Sequence, residues 1–374
     1  MSSIFNIGIT INFDKDFYSN GLQQNVVFLN NLFNKLENIK SFYLYEGKEL
    51  DSFFINKSFC FPYVDILKND AIKFDLIIMM GFTFNEVVIK KIKKKYQKTK
   101  VVLMQCGNQF IENVSYSLFD IDSSHSPLQN SQEIDQIWTL PHYKKYLPYM
   151  KTFFKNEKVK IVPYIWDSLF IDFQLENSIY KDKSVDFSQI NKKSIIVMEP
   201  NFFTSKNCIL PLFIVEFFEH KYPNLLDSVH LLCAKNLVEN DYFMKLIIQL
   251  DIFKRKNFLK IENRTLFLDA IHKFGSILIS HQQDNALNYL YLEALYLNIP
   301  LLHNSELISD YGYFYPENDI DKAFIELNKI IENHAKSLKL YKRNCDQILK
   351  KFSSKNKKNI IDYKKILIET IGII

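Results

Sequence analysis

Residues 280–305 read Ser-His-Gln-Gln-Asp-Asn-Ala-Leu-Asn-Tyr-Leu-Tyr-Leu-Glu-Ala-Leu-Tyr-Leu-Asn-Ile-Pro-Leu-Leu-His-Asn-Ser, and the fold follows from this stretch. An apolar run from Gly275 to Ser280 is a buried strand that ends in a polar loop. Leu287, Leu290, Tyr291, Ala294 and Leu295 then recur at helical spacing and give a helix one buried face. After Pro300 a second apolar strand begins. Strand, loop, helix and strand in this order build an open parallel α/β sheet, which gathers ligands outside the carboxyl ends of its strands. His281, Gln282, Asp284, Asn285 and Asn288 fall on that edge. Glu293 sits within the apolar helix, on the side shared with Asn285 and Tyr289. A carboxylate there is costly unless a partner satisfies it, and the ribose of a bound sugar nucleotide would do so.

The same alternation runs outward in both directions. Toward the N-terminus of this half, the pattern predicts strands Ile195–Met198, Val229–Cys233 and Phe258–Ile261, with helices Asn207–Lys221, Asn240–Leu250 and Thr265–Phe274. In the first half it predicts strands Ile4–Ile11, Ser41–Tyr45, Phe74–Met80 and Val101–Gln105. Helices Gly21–Leu36 and Phe84–Tyr96 belong to that half, as does a helix near His142–Phe154 between short strands at Trp138 and Lys158–Pro163. Two doubly wound parallel sheets result. The polar, weakly periodic stretch 167–192 separates residues 1–166 from residues 193–347 as a linker. The end is helical from about Ile320 with a break near Ser353-Ser354, so residues 348–374 form a last helical segment.

Bulk properties narrow the function classes. At 374 residues the chain exceeds what one core usually supports. Hydrophobic content of 47% and charged content of 24% are those of an ordinary globular protein. The five cysteines lie far apart, without a C-x-x-C pair or zinc spacing among Cys and His, and fit buried thiols in a reducing compartment. No signal-peptide layout and no membrane-length apolar run is present, so a cytoplasmic protein is expected. No G-x-G-x-x-G or P-loop occurs, which argues against a dinucleotide oxidoreductase or a Walker-type NTPase. The net charge is +5, with basic clusters at 90–95 and 339–365, the second holding ten Lys/Arg against Asp346 and Asp362. Solvated helix faces explain such clusters. Peripheral contact with an anionic membrane, at ~1 kcal/mol per basic residue, is the sharper reading, and nucleic acid would attract the same charges.

Four further loops carry candidate chemistry. Ser19 or Asn20 can cap a helix beginning at Gly21, and Gln23, Gln24 and Asn25 add more uncharged polar surface than a cap requires. Gly107, Asn108 and Gln109 follow a buried strand, with Glu112 and His125 nearby as possible general bases. In Met198-Glu199-Pro200-Asn201, the strand runs toward Lys206, a cation expected at a helix N-terminus, where it opposes the dipole. A bound diphosphate would resolve that conflict, and Arg264 is a second cation for it. Finally His303, Asn304 and Ser305 follow the strand after Pro300.

Taken together, Asn-Gly-x-x-Gln-Asn, Cys-Gly-Asn-Gln, Val-Pro-Tyr-Ile-Trp, Met-Glu-Pro-Asn and the 281–305 segment resemble one bacterial and phage domain family of undefined substrates within the GT-B glycosyltransferase superfamily, over about residues 5–320. The resemblance implies two Rossmann-like domains facing across a cleft, with the first on the acceptor side and the second binding a nucleotide-diphospho-sugar. On that pattern the donor residues are Asn201, Lys206, Arg264, His281, Gln282, Asp284, Asn285, Asn288, Tyr289, Glu293, His303, Asn304 and Ser305. The acceptor-side or phosphate loops are Ser19 to Asn25 and Gly107 to Gln109, with His125 or Glu112 catalytic. Many retaining members carry two glutamates eight residues apart; here Glu293 matches the second, but Asn285 replaces the first, so the stereochemical outcome stays open. No metal or further cofactor is implied, the last helix is expected to cross back to the first domain, and the acceptor would be a glycan or lipid-linked molecule. Alternatives on the same fold are a sugar-nucleotide epimerase, a DNA-base glucosyltransferase and a non-catalytic scaffold.

Overall fold

The computed structural model describes residues 4–13, 20–47, 55–68, 72–119, 132–179, 193–275 and 277–372. Ser19 and His125 lie outside these residues. The chain divides into two compact units, Met1–Asp167 with Phe352–Ile374, and Ser168–Lys351.

In the first unit, strands β1 (Phe5–Ile11), β2 (Ile39–Tyr45), β3 (Cys60–Pro62), β4 (Leu76–Met79), β5 (Lys100–Gln105), β6 (Gln136–Thr139) and β7 (Val159–Ile161) pair in the order β3-β2-β1-β4-β5-β6-β7, all parallel. Helices α1 (Gly21–Phe33), α2 (Glu86–Lys95), α3 (Gln109–Leu118) and α4 (Leu147–Phe154) connect them. The sheet interior is continuously apolar: Ile7, Ile9, Leu76, Ile77, Val101 and Val102 are wholly enclosed, as expected for strands covered on both faces. Tyr143, Tyr164 and Trp166 are buried core aromatics. The crossover point lies between β1 and β4, where the strand order reverses. There Gly81 follows β4, and a Cβ at this position would stand 2.7 Å from Ile11 Cα and 2.7 Å from the Thr10 carbonyl oxygen. Only glycine lets the two chains pass so closely. Helix α3 begins at Gln109, so the polar residues read as a loop after β5 are the cap and first turn of a helix.

The second unit repeats the scheme. Helix α5 (Leu169–Asn177) occupies part of the stretch read as a linker, and Phe170 and Ile171 are buried. Strands β8 (Ser194–Val197), β9 (Ser228–Leu231), β10 (Leu259–Ile261), β11 (Ile277–Ser280), β12 (Leu301–His303) and β13 (Tyr313–Phe314) form a second parallel sheet in the order β10-β9-β8-β11-β12-β13. Helices α6 (Ile209–Lys221), α7 (Asp241–Ile247), α8 (Asp251–Lys254), α9 (Phe267–Phe274), α10 (Tyr289–Tyr296) and α11 (Ile320–Phe352) accompany it. Helix α6 is apolar nearly all round because it lies inside: Leu212, Ile214, Val215 and Phe218 pack with Ile195, Val197, Val229 and Ile279 of the strands. Pro211 is tolerated because it sits in the first turn, where a missing N–H breaks no intrahelical bond. The crossover in this sheet lies between β8 and β11. The chain ends in α12 (Lys357–Ile371), which belongs to the first unit, where Tyr363 packs edge-on against Phe33 and donates to the Pro163 carbonyl oxygen at 2.7 Å. Among the described residues no helix is long and apolar enough to cross a membrane.

Candidate functional site

The carboxyl edge of the second sheet collects most of the sequence-derived candidates, from the ends of four strands. From β8 come Glu199 and Asn201, followed by Lys206. Lys206 does not sit on the helix terminus as expected, because α6 starts at Ile209 with Cys208 as its cap. Instead Phe203 and Lys206 close a small antiparallel bridge, and Lys206 bridges in turn to Gln282 after β11. The unfavourable cation–dipole contact is thereby avoided, and Lys206 stands in the electrostatic reach of Glu199. Asn201 adopts a left-handed φ of 59°, which asparagine tolerates. Its amide nitrogen donates to the carbonyl oxygens of Glu199 (2.7 Å) and Cys233 (3.2 Å), and its oxygen accepts the Cys208 amide (2.9 Å). Asn201 thus builds the loop. Arg264 is exposed after β10, near the Cys233 thiol, which burial raises and Arg264 lowers.

The 281–288 loop is held from two sides. Asn304 clamps Gln282, its Oδ1 accepting the Gln282 amide at 3.0 Å and its Nδ2 donating to the Gln282 carbonyl at 2.9 Å. Ser305 Oγ donates to the Ala286 carbonyl. On the other side, Gln282 Nε2 donates to Glu199 at 3.3 Å, and Asn285 Nδ2 donates to Gln282 Oε1. Asp284 turns the loop at φ 53°, and Asn288 caps α10 by accepting the Leu290 amide at 3.2 Å. Tyr289 is buried in the first turn of that helix.

The two histidines of this edge are neutral. His281 is buried with Nδ1 3.0 Å from the Tyr315 hydroxyl, and burial lowers its pKa to about 4. His303 Nδ1 accepts the Ser305 amide at 3.1 Å, so its proton resides on Nε2, which donates to the Tyr311 carbonyl at 2.7 Å. Burial holds His303 at about 4 as well. Neither supplies positive charge to a phosphate near neutral pH.

Glu293 is the outlier. It lies half-buried in the middle of α10, and burial alone pushes its carboxyl up to about 7. Among the described residues no hydrogen bond or ion pair satisfies that carboxylate. Glu199, completely enclosed, is also pushed up to about 7 by burial, but there Ser280, Lys206, Gln282 and the His281 amide act against the shift. Sequence reading placed Glu199 in a loop motif and gave it no role; its partners are some 80 positions away, and no local signal points to them.

The first unit presents a separate polar edge. Asn20 caps α1, accepting the Leu22 and Gln23 amides at 3.1 and 3.4 Å, and Gln23 Oε1 accepts the Asn12 amide at 3.0 Å. Gln24 and Asn25 are buried, and Asn25 Oδ1 has no partner among the described residues. Asn108 caps α3 through the Ile111 amide (3.3 Å), and Gln109 bonds Asn113 (2.9 Å), which reaches the Tyr149 hydroxyl (2.7 Å). The Glu112 carboxylate folds back over Gly107, where a Cβ would come within 1.8 Å of Oε1, and Gln105 Nε2 lies 3.4 Å from Oε2. Elsewhere in the second unit Glu216, His220 and Asp251 converge. Both Glu216 oxygens accept main-chain amides, of Asp251 (2.8 Å) and Ile252 (3.0 Å), and Lys254 pairs with Asp251 (2.8 Å). The group caps α8 and is satisfied within itself.

A family described as "Protein of unknown function (DUF2827)" matches residues 7–367. No curated protein sequence matches the chain. Among solved structures, the trehalose-6-phosphate phosphatase N-terminal domain of Candida albicans is similar with a TM-score of 0.64 at 11% identity, over 100% of this chain and 98% of that one. A UDP-forming α,α-trehalose-phosphate synthase from Burkholderia xenovorans gives 0.59 at 9% identity, over 99% of both chains. S. aureus TarM, solved with UDP, gives 0.51 at 12% identity; the match covers 78% of this chain and only 55% of the TarM chain. These likenesses establish the fold: two Rossmann-like parallel-sheet units, as in GT-B proteins.

Proposed function

The chain belongs to the DUF2827 family, and we propose that it is a glycosyltransferase, moving a sugar from a nucleotide-diphospho-sugar to a glycan, lipid-linked or other acceptor without a resident metal ion. One observation carries the reading: Glu293, whose carboxylate has no partner among the described residues, stands on α10, directly behind the loop at the crossover of the second sheet. A ribose diol supplies the two donors that such a carboxylate lacks, and open α/β sheets take their nucleotides at this edge.

In this reading Glu293 accepts the ribose hydroxyls, while Lys206 and Arg264 neutralise the diphosphate as it departs. That stabilisation acts most strongly where charge develops. Asn285, Asn288, Tyr289, Asn304 and Ser305 shape the pocket around these groups. The first unit offers the acceptor its polar edge at Asn20 to Asn25 and Gly107 to Glu112. The exposed lysines of α2, Lys90, Lys91, Lys94 and Lys95, suit an acceptor carried on an anionic lipid surface.

UDP is the first probe, because the Burkholderia synthase is UDP-forming and TarM was solved with UDP. A thermal-shift series of the full chain with UDP-, GDP-, CMP- and dTDP-sugars tests the reading. A ligand at a hundred times its Kd adds about 2.7 kcal/mol of stability. If none of them raises the melting temperature, the assignment fails.

A further inference from the structure

Glu199 lies where β8 and β11 part, under the junction of two loops. Its Oε1 accepts from Ser280 Oγ, which in turn is 3.2 Å from the Tyr291 hydroxyl. A hydroxyl has one proton, so Tyr291 donates to Ser280 and Ser280 donates to Glu199. Gln282 Nε2 and the His281 main-chain amide complete the shell. The charged and titratable groups around it are Lys206 ahead of α6, Tyr291 of α10, Tyr315 after β13, and the Cys208 and Cys233 thiols.

A carboxylate sealed beneath two loops at a strand end is a poor way to stabilise a core, since an apolar side chain would avoid its desolvation. What its bonds secure is the loop edge. Through Gln282 it fixes Asn285, and through the His281 amide it fixes the first residue beyond β11. Directly above, the Lys206–Gln282 bridge and the Gln283 amide bond to the Ser205 carbonyl (2.9 Å) tie the 200–207 loop to the 281–285 loop. Both loops carry residues assigned above to the donor phosphates.

We propose that Glu199 is a positioning residue: its carboxylate latches the 281–285 loop against the 200–207 loop and so presents Lys206 to the diphosphate of the donor. The inference rests on the donor-site reading. Glu199→Gln keeps the shape but replaces one acceptor oxygen by an NH2 group. Whether that group meets Ser280 or Gln282, one bond of the shell is lost or reversed, so the latch weakens. Ser280→Ala removes one donor while leaving the charge of Glu199 in place, and separates positioning from electrostatics.

Two measurements on the full chain test this. Hydrogen exchange of the ligand-free protein should show faster exchange over 281–288 in both variants, with β8 and β11 as protected as in the wild type. UDP titration should show at least tenfold weaker binding for Glu199→Gln and about threefold for Ser280→Ala. If Glu199→Gln does not fold, Ser280→Ala carries both readouts. Unchanged exchange over 281–288 in a folded variant overturns the latch, whatever UDP does. Equal or tighter UDP binding with a loosened loop overturns its link to the donor. A wild-type protein that ignores the UDP-, GDP-, CMP- and dTDP-sugars alike removes the donor reading and this inference with it, while the exchange result still reports on the latch alone.

Discussion

Glu293→Gln should make the protein more stable and less able to bind its nucleotide. The carboxyl is pushed from 4.5 to about 7 by burial, with no compensating partner. A shift of that size corresponds to ~3 kcal/mol of strain on the ionised form; because the side chain is only half-buried, solvent screening reduces this to ~1–3 kcal/mol. The folded pKa lies above the unfolded one, so the penalty is absent below about pH 4.5 and complete above about pH 7–8. Glutamine removes the charge and therefore the penalty. At pH 8 the second unit should melt ~2–12 °C higher than wild type, at ~2–4 °C per kcal/mol for a domain of this size. At pH 4 the two proteins should melt together. UDP affinity should fall ~10–100-fold, the worth of hydrogen bonds to a charged acceptor. Calorimetric melts at both pH values and UDP titration at pH 8 read the two effects. An equal melting temperature at pH 8 would refute the strained carboxylate. A stabilised variant with unaltered UDP affinity would show that the strain serves something other than the nucleotide.

Other outcomes follow from single contacts. Lys206→Ala should weaken UDP by ~1.5–3 kcal/mol but uridine hardly at all, by comparative titration, since only the diphosphate meets the cation. Gly81→Ala must displace main chain at Ile11 and Thr10 and should cost ~1–3 kcal/mol in denaturant melts of the first unit. Leu212→Ala, at a wholly enclosed position of α6, should cost ~2–5 kcal/mol in the second unit. Transfer activity, once a donor is found, should survive EDTA; abolition by chelation with recovery on adding a divalent ion would contradict the proposed use of Lys206 and Arg264.

The alternation of apolar strands with amphipathic helices was legible because each element states its period within a few residues. Helix α10 with Glu293 on it, the β8 and β11 strands, and the break between α11 and α12 follow from local spacing alone. Elements without a one-sided apolar pattern at their start are not legible. Helix α3 opens among polar residues, Asn108 and Gln109, whose capping role depends on where β5 ends. Helix α5 has no side-chain cap, and its apolar residues Leu169, Phe170, Ile171, Phe173 and Leu175 do not gather on one face, so it reads as a connector. Local pattern puts Lys206 at a helix terminus, whereas the helix begins three residues later, because the Phe203–Lys206 bridge that intervenes has no sequence mark.

Sequence by itself therefore determined two parallel sheets and the strand ends at which polar side chains collect, since hydrophobic period and turn chemistry are local properties. Only tertiary structure decided which polar side chains are already spent. Asn201 and Asn304 turn inward to hold main chain, the two histidines are neutral through burial, and Glu199 is saturated by donors some 80 residues distant. Glu293, by contrast, is left without a described partner. Desolvation and hydrogen-bond satisfaction depend on what packs around a group in three dimensions, and a residue's sequence neighbours do not carry that information.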